Sequence, residues 1–369
     1  MKKTAAAVAA ALMSAAAGAA DITLYGVVDT GFVYTNTDTL TTGTDESFQM
    51  MSGFSSGSRI GFKGTEELGN GYAVSFILEN GFSVDTGVLG QSGRMFGRES
   101  SLKLHTPYGM LAFGRAGSLV SASGSMEVFG TYADALPGGW SEIFNLYNYQ
   151  GSAERYDNLV TYKSPTAAGF TGYAQYSFAN NTKSGDDDAL PNERSNNRYA
   201  TAGLTYANGP LQAVVIYDTT MFKHESTPAA NVGDNRNLSL GGSYDFGFIR
   251  VSAYAQYVKG ARTAYTKSIW TSALPRDADG WNFHLGTQVP VSWGRLYAAA
   301  YWGKLDYNEI AGDGDMRNLN VLLATDYSLS KRTTLYTGLA YRQVKGEVDN
   351  VKEVDEKTTQ AVVGMRHRF

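Results

Sequence analysis

The chain has no cysteine and only four histidines in 369 residues. The first absence excludes disulfides, thiolate nucleophiles and cysteine-bound metal; an exported form would have no covalent staple and no thiol to mispair. His105, His224, His284 and His367 stand far apart, without metal-ligand spacing. Proline is scarce, at 8 residues. Beyond the N-terminus no stretch approaches the roughly 20 consecutive apolar residues of a membrane helix. A phosphate-cradling glycine loop followed by Lys and Ser or Thr is also missing. These absences exclude a helical membrane protein and leave no basis for expecting a cofactor, a metal or an enzymatic reaction.

What is abundant is glycine (42), tyrosine (24) and phenylalanine (17), in a chain whose mean hydropathy is -0.26. Such an average is what alternating lipid-facing and lumen-facing residues of a transmembrane barrel produce. Residues 1–20 read as a secretory signal: Lys2 and Lys3 are basic, Thr4 to Ala17 is a short apolar core, and Gly18, Ala19 and Ala20 are small. Loss of the two lysines takes the formal charge from -4 to -6. A mildly acidic mature chain gives no reason to expect nucleic acid as a partner.

From Asp21 onward the pattern has period two. Ile22, Leu24, Val28 and Phe32 fall on one face, with Thr23, Asp29 and Gly31 on the other. Tyr72, Val74, Phe76 and Leu78 alternate with Ala73, Ser75 and Glu79 after a hairpin signal at Gly69-Asn70-Gly71. About sixteen such runs succeed one another, each near the roughly 9 to 11 residues that a tilted strand needs to cross an apolar band. Tight turns alternate with long polar segments, among them 36–56, 83–93, 180–197, 260–279, 306–315 and 345–357. Short turns at one rim and long loops at the other are the arrangement of an outer-membrane barrel. Tyrosines and phenylalanines at strand ends, such as Tyr34, Tyr176, Phe178, Tyr206, Tyr257 and Tyr341, suit interfacial girdles. The expected fold is all-β: a 16-stranded antiparallel transmembrane β-barrel spanning 21–369 as one domain.

One connection, 117–158, is far longer than an ordinary loop. It carries Tyr132, Asp134, the Pro137-Gly138-Gly139 bend, Trp140 and Glu142, which is poor composition for a disordered linker. It is expected to fold into the lumen as a third external loop and narrow it.

Several segments resemble the general diffusion porins of neisserial and betaproteobacterial type: Ile22-Thr23-Leu24-Tyr25-Gly26, Ser58-Arg59-Ile60-Gly61-Phe62-Lys63-Gly64, Tyr108-Gly109 leading to Phe113-Gly114-Arg115, and the ending Val363-Gly364-Met365-Arg366-His367-Arg368-Phe369. The resemblance implies an outer-membrane pore for passive diffusion of small hydrophilic solutes and ions, usually a homotrimer, in contact with outer-membrane lipid and lipopolysaccharide. It also implies that Phe369 closes a signal read by the barrel assembly machinery. In that family an arginine cluster on the wall faces acids on the inward loop. Matching motifs assigns Arg59, Arg98 and Arg155 to the wall, with Lys63 two strand steps from Arg59 on its face. Asp134 and Glu142, flanking the Pro-Gly-Gly bend, are the first choices for the opposing acids, ahead of Glu127 and Glu154. Strict alternation would put Arg98 on the face of Leu102 and Leu104, which requires a bulge or inward leucines. The arginines imply a mild anion preference. A substrate-specific channel for a sugar or dicarboxylate and a barrel hydrolase are the alternative readings.

Overall fold

The computed structural model describes residues 21–40, 43–121, 124–136, 140, 155–180, 196–222, 233–261, 278–307, 314–348 and 352–369. The expected signal segment 1–20, Glu142 and Glu154 lie outside them. The strands are β1 Asp21–Thr39, β2 Gly43–Ser52, β3 Arg59–Gly69, β4 Tyr72–Gly81, β5 Glu99–Thr106, β6 Gly109–Gly117, β7 Arg155–Lys163, β8 Phe170–Ser177 and β9 Arg198–Asn208. They continue as β10 Leu211–Met221, β11 Asn235–Asp245, β12 Arg250–Lys259, β13 Ala278–Val291, β14 Gly294–Tyr307, β15 Gly314–Ser328, β16 Thr333–Val348 and β17 Lys352–Arg368. A short helix, α1 (Phe129–Ala133), lies in the long connection.

Among the described residues every pairing is antiparallel, the strands from β3 onward pair in sequence, and β17 returns to pair with β1. Segments β2 and β3 both pair with β1, β2 along Thr30–Thr39 and β3 along Asp21–Val27. They are two halves of one barrel strand interrupted at 53–58, so the closed barrel has sixteen staves. Closure is completed at the C-terminus, where Gly26 and Phe369 exchange backbone hydrogen bonds of 3.1 Å each. The Phe369 ring lies over Gly26, where a Cβ would come within 2.3 Å of it.

The period-two pattern sorts side chains to two faces. Leu24, Phe62, Leu102, Leu204, Leu240, Leu285, Trp302, Leu323, Leu339 and Val363 are exposed on the outside. Thr161, Gln175, Thr205, Ser239, Gln256, Asn282, Asn320 and Gln360 are buried on the inside. An apolar exterior around a polar interior is a soluble protein turned inside out, as lipid requires. At the tight-turn rim Asn70 and Gly71 take positive φ (54° and 78°), as a two-residue hairpin demands.

The structure departs from the sequence-based boundaries in two places that matter. The expected loop at 36–56 is mostly strand: β1 runs on to Thr39 and β2 returns alongside it, with Phe32 and Phe48 stacked at 5.6 Å. Residues 94–98, expected to open a strand, are not strand at all; β5 starts at Glu99. Arg98 therefore escapes the alternation that constrained it, and Leu102 faces outward as an ordinary lipid-facing leucine while Ser101 and Lys103 are buried on the other face. Neither a bulge nor inward leucines are needed.

Candidate functional site

The inner face of β3 and β4 carries a basic cluster built around one carboxylate. Arg59 alternates with outward Ile60 and Phe62 and points inward from the first residue of β3. Its Nε lies 3.5 Å from Glu79 Oε2. Arg98 Nε donates to Glu79 Oε1 at 2.7 Å, and the Tyr25 hydroxyl donates to Oε2 at 2.9 Å. Arg155 opens β7 and shares the electrostatic field of Arg98, Glu79, Arg115 and Arg59. Lys63 shares the face of Arg59, its ammonium 5.3 Å from the centre of the Tyr25 ring. Two of the three wall arginines matched from motif, Arg59 and Arg98, thus converge on Glu79, which motif matching did not single out. Its signal was present: Glu79 is the acid at an inward position of β4, opposite Gly61 in register.

A second basic pair was also missed. Asp157 accepts from Arg94 at 3.1 Å and from Arg115 at 2.6 Å. Arg115 follows outward Phe113 by two residues, and this triad borders a cleft with Phe113, Val160 and Phe178. It belongs to the outer wall.

The described part of the long connection runs along the inner wall. It starts with Leu119 N–H donating to Gln175 of β8 at 3.1 Å. Ser125 donates to Glu99 through N at 3.0 Å and Oγ at 2.6 Å, and accepts from Lys103 at 2.7 Å. The helix α1 then sits on β10, β11 and β12, Phe129 against Tyr254 at 5.1 Å. The inner wall is cut back where the backbone approaches: a Cβ on Gly241 of β11 would meet Ala133 at 2.6 Å, and one on Gly286 of β13 would meet Ala135 at 2.6 Å.

Asp134 follows α1 and is 2% exposed. It accepts from the Tyr301 hydroxyl at 2.8 Å and from Leu136 N–H at 2.9 Å, with His284 Nε2 3.6 Å away. His284 Nε2 also accepts from Ala135 N–H at 3.3 Å, and Gln288 donates to Ala135 O at 2.7 Å. Farther on, Trp140 N–H donates to Ser55 O at 3.0 Å. The Trp140 ring packs edge-on against Phe54, Tyr336 and Tyr297.

The break at 53–58 is what places Phe54 and Ser55 there. Asp29 of β1 organises it, accepting at its carboxylate from Ser56 N–H (2.8 Å) and the Tyr336 hydroxyl (2.7 Å). Gly53-Phe54-Ser55-Ser56-Gly57 has the spacing of a nucleophile elbow, yet it joins two strand halves rather than a strand and a helix. Ser55 Oγ accepts from Arg366 at 2.6 Å and is buried, so the motif is structural.

Glu127 precedes α1 and caps it, its carboxylate accepting from Gly130 N–H, from Thr131 N–H (3.2 Å) and from Thr131 Oγ1 (2.8 Å). It is half-buried, and desolvation pushes its carboxyl up to about 7, against the hydrogen bonds that favour the anion.

A closed barrel with an apolar belt, a polar interior and the described part of a long connection against its inner wall defines a transmembrane channel of the outer-membrane kind. The chain belongs to the Gram-negative porin family, whose profile matches residues 4–347. It is 33% identical to an outer membrane porin protein of Bordetella pertussis and 28% identical to outer membrane porin protein 32 of Delftia acidovorans, each match covering 100% of both chains. The anion-selective porin from Comamonas acidovorans superimposes with a TM-score of 0.69 at 26% identity, covering 95% of this chain and all of that one. The protein is an outer-membrane channel for passive diffusion and not an enzyme.

Proposed function

We propose that this porin passes small hydrophilic solutes and ions with a mild preference for anions, and that the wall of Arg59, Arg98 and Arg155 opposite the 117–158 connection is its constriction. The carrying observation is the charge balance: Arg59 and Arg98 share the single carboxylate of Glu79, and Arg155 adds a third positive charge to their field. Low-dielectric walls focus the field of such a cluster into the water path. Lys63 extends that field toward the tight-turn mouth. Asp134 serves the constriction by fixing the connection to the far wall, and Glu142 is assigned to the solute-facing side of that connection from sequence. The similarity to an anion-selective porin supports the preference.

In the same reading the protein is a homotrimer with its long loops outside the cell and the tight turns in the periplasm. Residues 1–20 direct export, Phe369 serves recognition by the assembly machinery, and the belt contacts outer-membrane lipid and lipopolysaccharide. The test is reversal potential in a planar bilayer under a salt gradient, for the natural protein and Arg59→Ala. Anion preference that weakens in the variant supports the reading. Cation preference in the natural protein, or no change in the variant, would sink it.

A further inference from the structure

One residue of the long connection is gripped at three points by a single strand. His284, Gly286 and Gln288 alternate along the inner face of β13. His284 Nε2 accepts from Ala135 N–H at 3.3 Å, Gln288 donates to Ala135 O at 2.7 Å, and the missing side chain of Gly286 makes room for the Ala135 methyl between them. The backbone donor, the backbone acceptor and the side chain of Ala135 are thus all engaged. Two of these contacts are indifferent to pH. The third depends on a proton.

Accepting from Ala135 requires a bare Nε2, so the neutral ring carries its proton on Nδ1, which is buried and faces the Ala300 carbonyl of β14. Nε2 also lies 3.6 Å from Asp134 Oδ1, with both side chains buried. A lone pair facing a carboxylate oxygen forms no bond with it. A proton on Nε2 reverses both relationships: the ring turns one donor against another at Ala135 N–H, and it offers Asp134 a charge-assisted hydrogen bond. Asp134 is the charged group that acts on the ring from the connection. Tyr254 and Tyr301, its register partners on β12 and β14, flank it with ring centres 4.9 and 4.3 Å away. Arg250 of β12 acts on Asp134 and donates to Thr131 O of α1 at 2.7 Å, and Glu127 before α1 feels the same carboxylate.

We propose that His284 is a proton-operated positioning residue for the long connection. Neutral, it holds Ala135 on the wall; protonated, it releases Ala135 and holds Asp134 instead. The bend then pivots about Asp134, and Ala135 lifts from Gly286 toward the water path. The inference rests on the reading that 117–158 narrows the lumen, and it adds to that reading a control of the connection's position by acid. Glu127 differs in kind, since its carboxyl caps α1 and sets charge without touching β13.

The test uses the full mature protein in two arms. In planar bilayers, brief closures are counted at pH 8 and pH 5 in the Glu127→Gln background, which silences the carboxyl that titrates near 7. Closures should become about fivefold more frequent once pH falls below the ordinary imidazole value of about 6.5, the scale of one net hydrogen bond. Adding His284→Gln, whose amide oxygen accepts from Ala135 at either pH, should remove that rise. A rise that survives His284→Gln, or closures equally frequent at both pH values before it is added, would overturn the proposal. The second arm is nitrogen NMR of isotope-labelled histidine in an H105Q/H224Q/H367Q variant, which keeps His284 as its only imidazole. A proton on Nδ1 alone at pH 8, and on both ring nitrogens at pH 5, is the expected result. A proton on Nε2 at pH 8, or a neutral ring at pH 5, would overturn the proposal, and this arm decides the question should His284→Gln not fold. An unchanged reversal potential in Arg59→Ala would remove the constriction reading and leave the spectrum as it is, so the two failures are distinguishable.

Discussion

Tyr301 donates its hydroxyl to the buried Asp134 carboxylate at 2.8 Å, joining the long connection to β14 on the wall opposite the arginines. A hydrogen bond to a buried charge contributes about 1.5–3 kcal/mol. Tyr301→Phe leaves Asp134 with Leu136 N–H alone at hydrogen-bond distance. The expected result is a loss of about 2 kcal/mol in urea unfolding from vesicles, together with greater open-channel current noise. Unchanged noise would show that the connection is held elsewhere.

The arginine cluster gives a prediction of opposite sign to that for Arg59→Ala. Glu79→Gln keeps the shape of the side chain and removes the carboxylate that Arg59 and Arg98 share. Anion preference should rise in the reversal potential, and it should rise most at low ionic strength, where screening is weakest.

Glu127 makes selectivity depend on pH. Its carboxyl, raised by burial to about 7, is protonated below that value and ionised above it. The lumen is therefore more positive at pH 5 than at pH 8, and anion preference should strengthen as pH falls through 7. The folded chain binds more protons than the unfolded one between the ordinary glutamate value of 4.5 and about 7, so the capped loop is most stable below that window and loses stability as pH rises through it. Glu127→Gln should flatten both profiles; a reversal potential that still shifts near pH 7 in that variant would assign the effect to another group.

Gly286 supplies a steric test. Its missing side chain is the space into which Ala135 fits, 2.6 Å from where a Cβ would stand. Gly286→Val should cost about 1–3 kcal/mol, as overpacking does, and change conductance by moving the connection off the wall. The matching substitution at an exposed outward position, Leu285→Val, should leave conductance unaltered.

Phe54→Ala tests the aromatic clasp. The ring is fully buried between Trp140 and Tyr336, and truncating a buried phenylalanine costs about 3–5 kcal/mol. Conductance should increase as Trp140 loses its seat; a stability loss with unchanged conductance would make the clasp purely structural.

The barrel was legible in the sequence because its signal is one-dimensional: alternation along each strand reports the face of every residue, which agrees with the motif match at Arg59 and extends it to Lys63. Arg98 was not, because the rule applies only inside a strand and β5 begins one residue later. The break at 53–58 was hidden for a related reason. Phe54 reads as one more aromatic in a polar loop, and only the pairing of β1 with both β2 and β3 shows that a single stave has been opened to seat Trp140. The roles of Gly241 and Gly286 were equally invisible, since what they accommodate is more than a hundred residues away in the chain. Asp134 was found as a residue but with a different expected task, since sequence gives the acid and not its burial.

The strands are uneven in length. Those from β13 to β17 have 14 to 17 residues, whereas β5 to β8 have 8 or 9. At about 3.4 Å per residue the longer ones run on the order of 50 Å, well past an apolar belt about 25 Å tall even after tilting. Along β15 or β16 consecutive amides keep the same ladder partners while passing from hydrocarbon into water. Deuterium uptake along a single strand would then register where the membrane ends, a depth gauge written into the backbone itself.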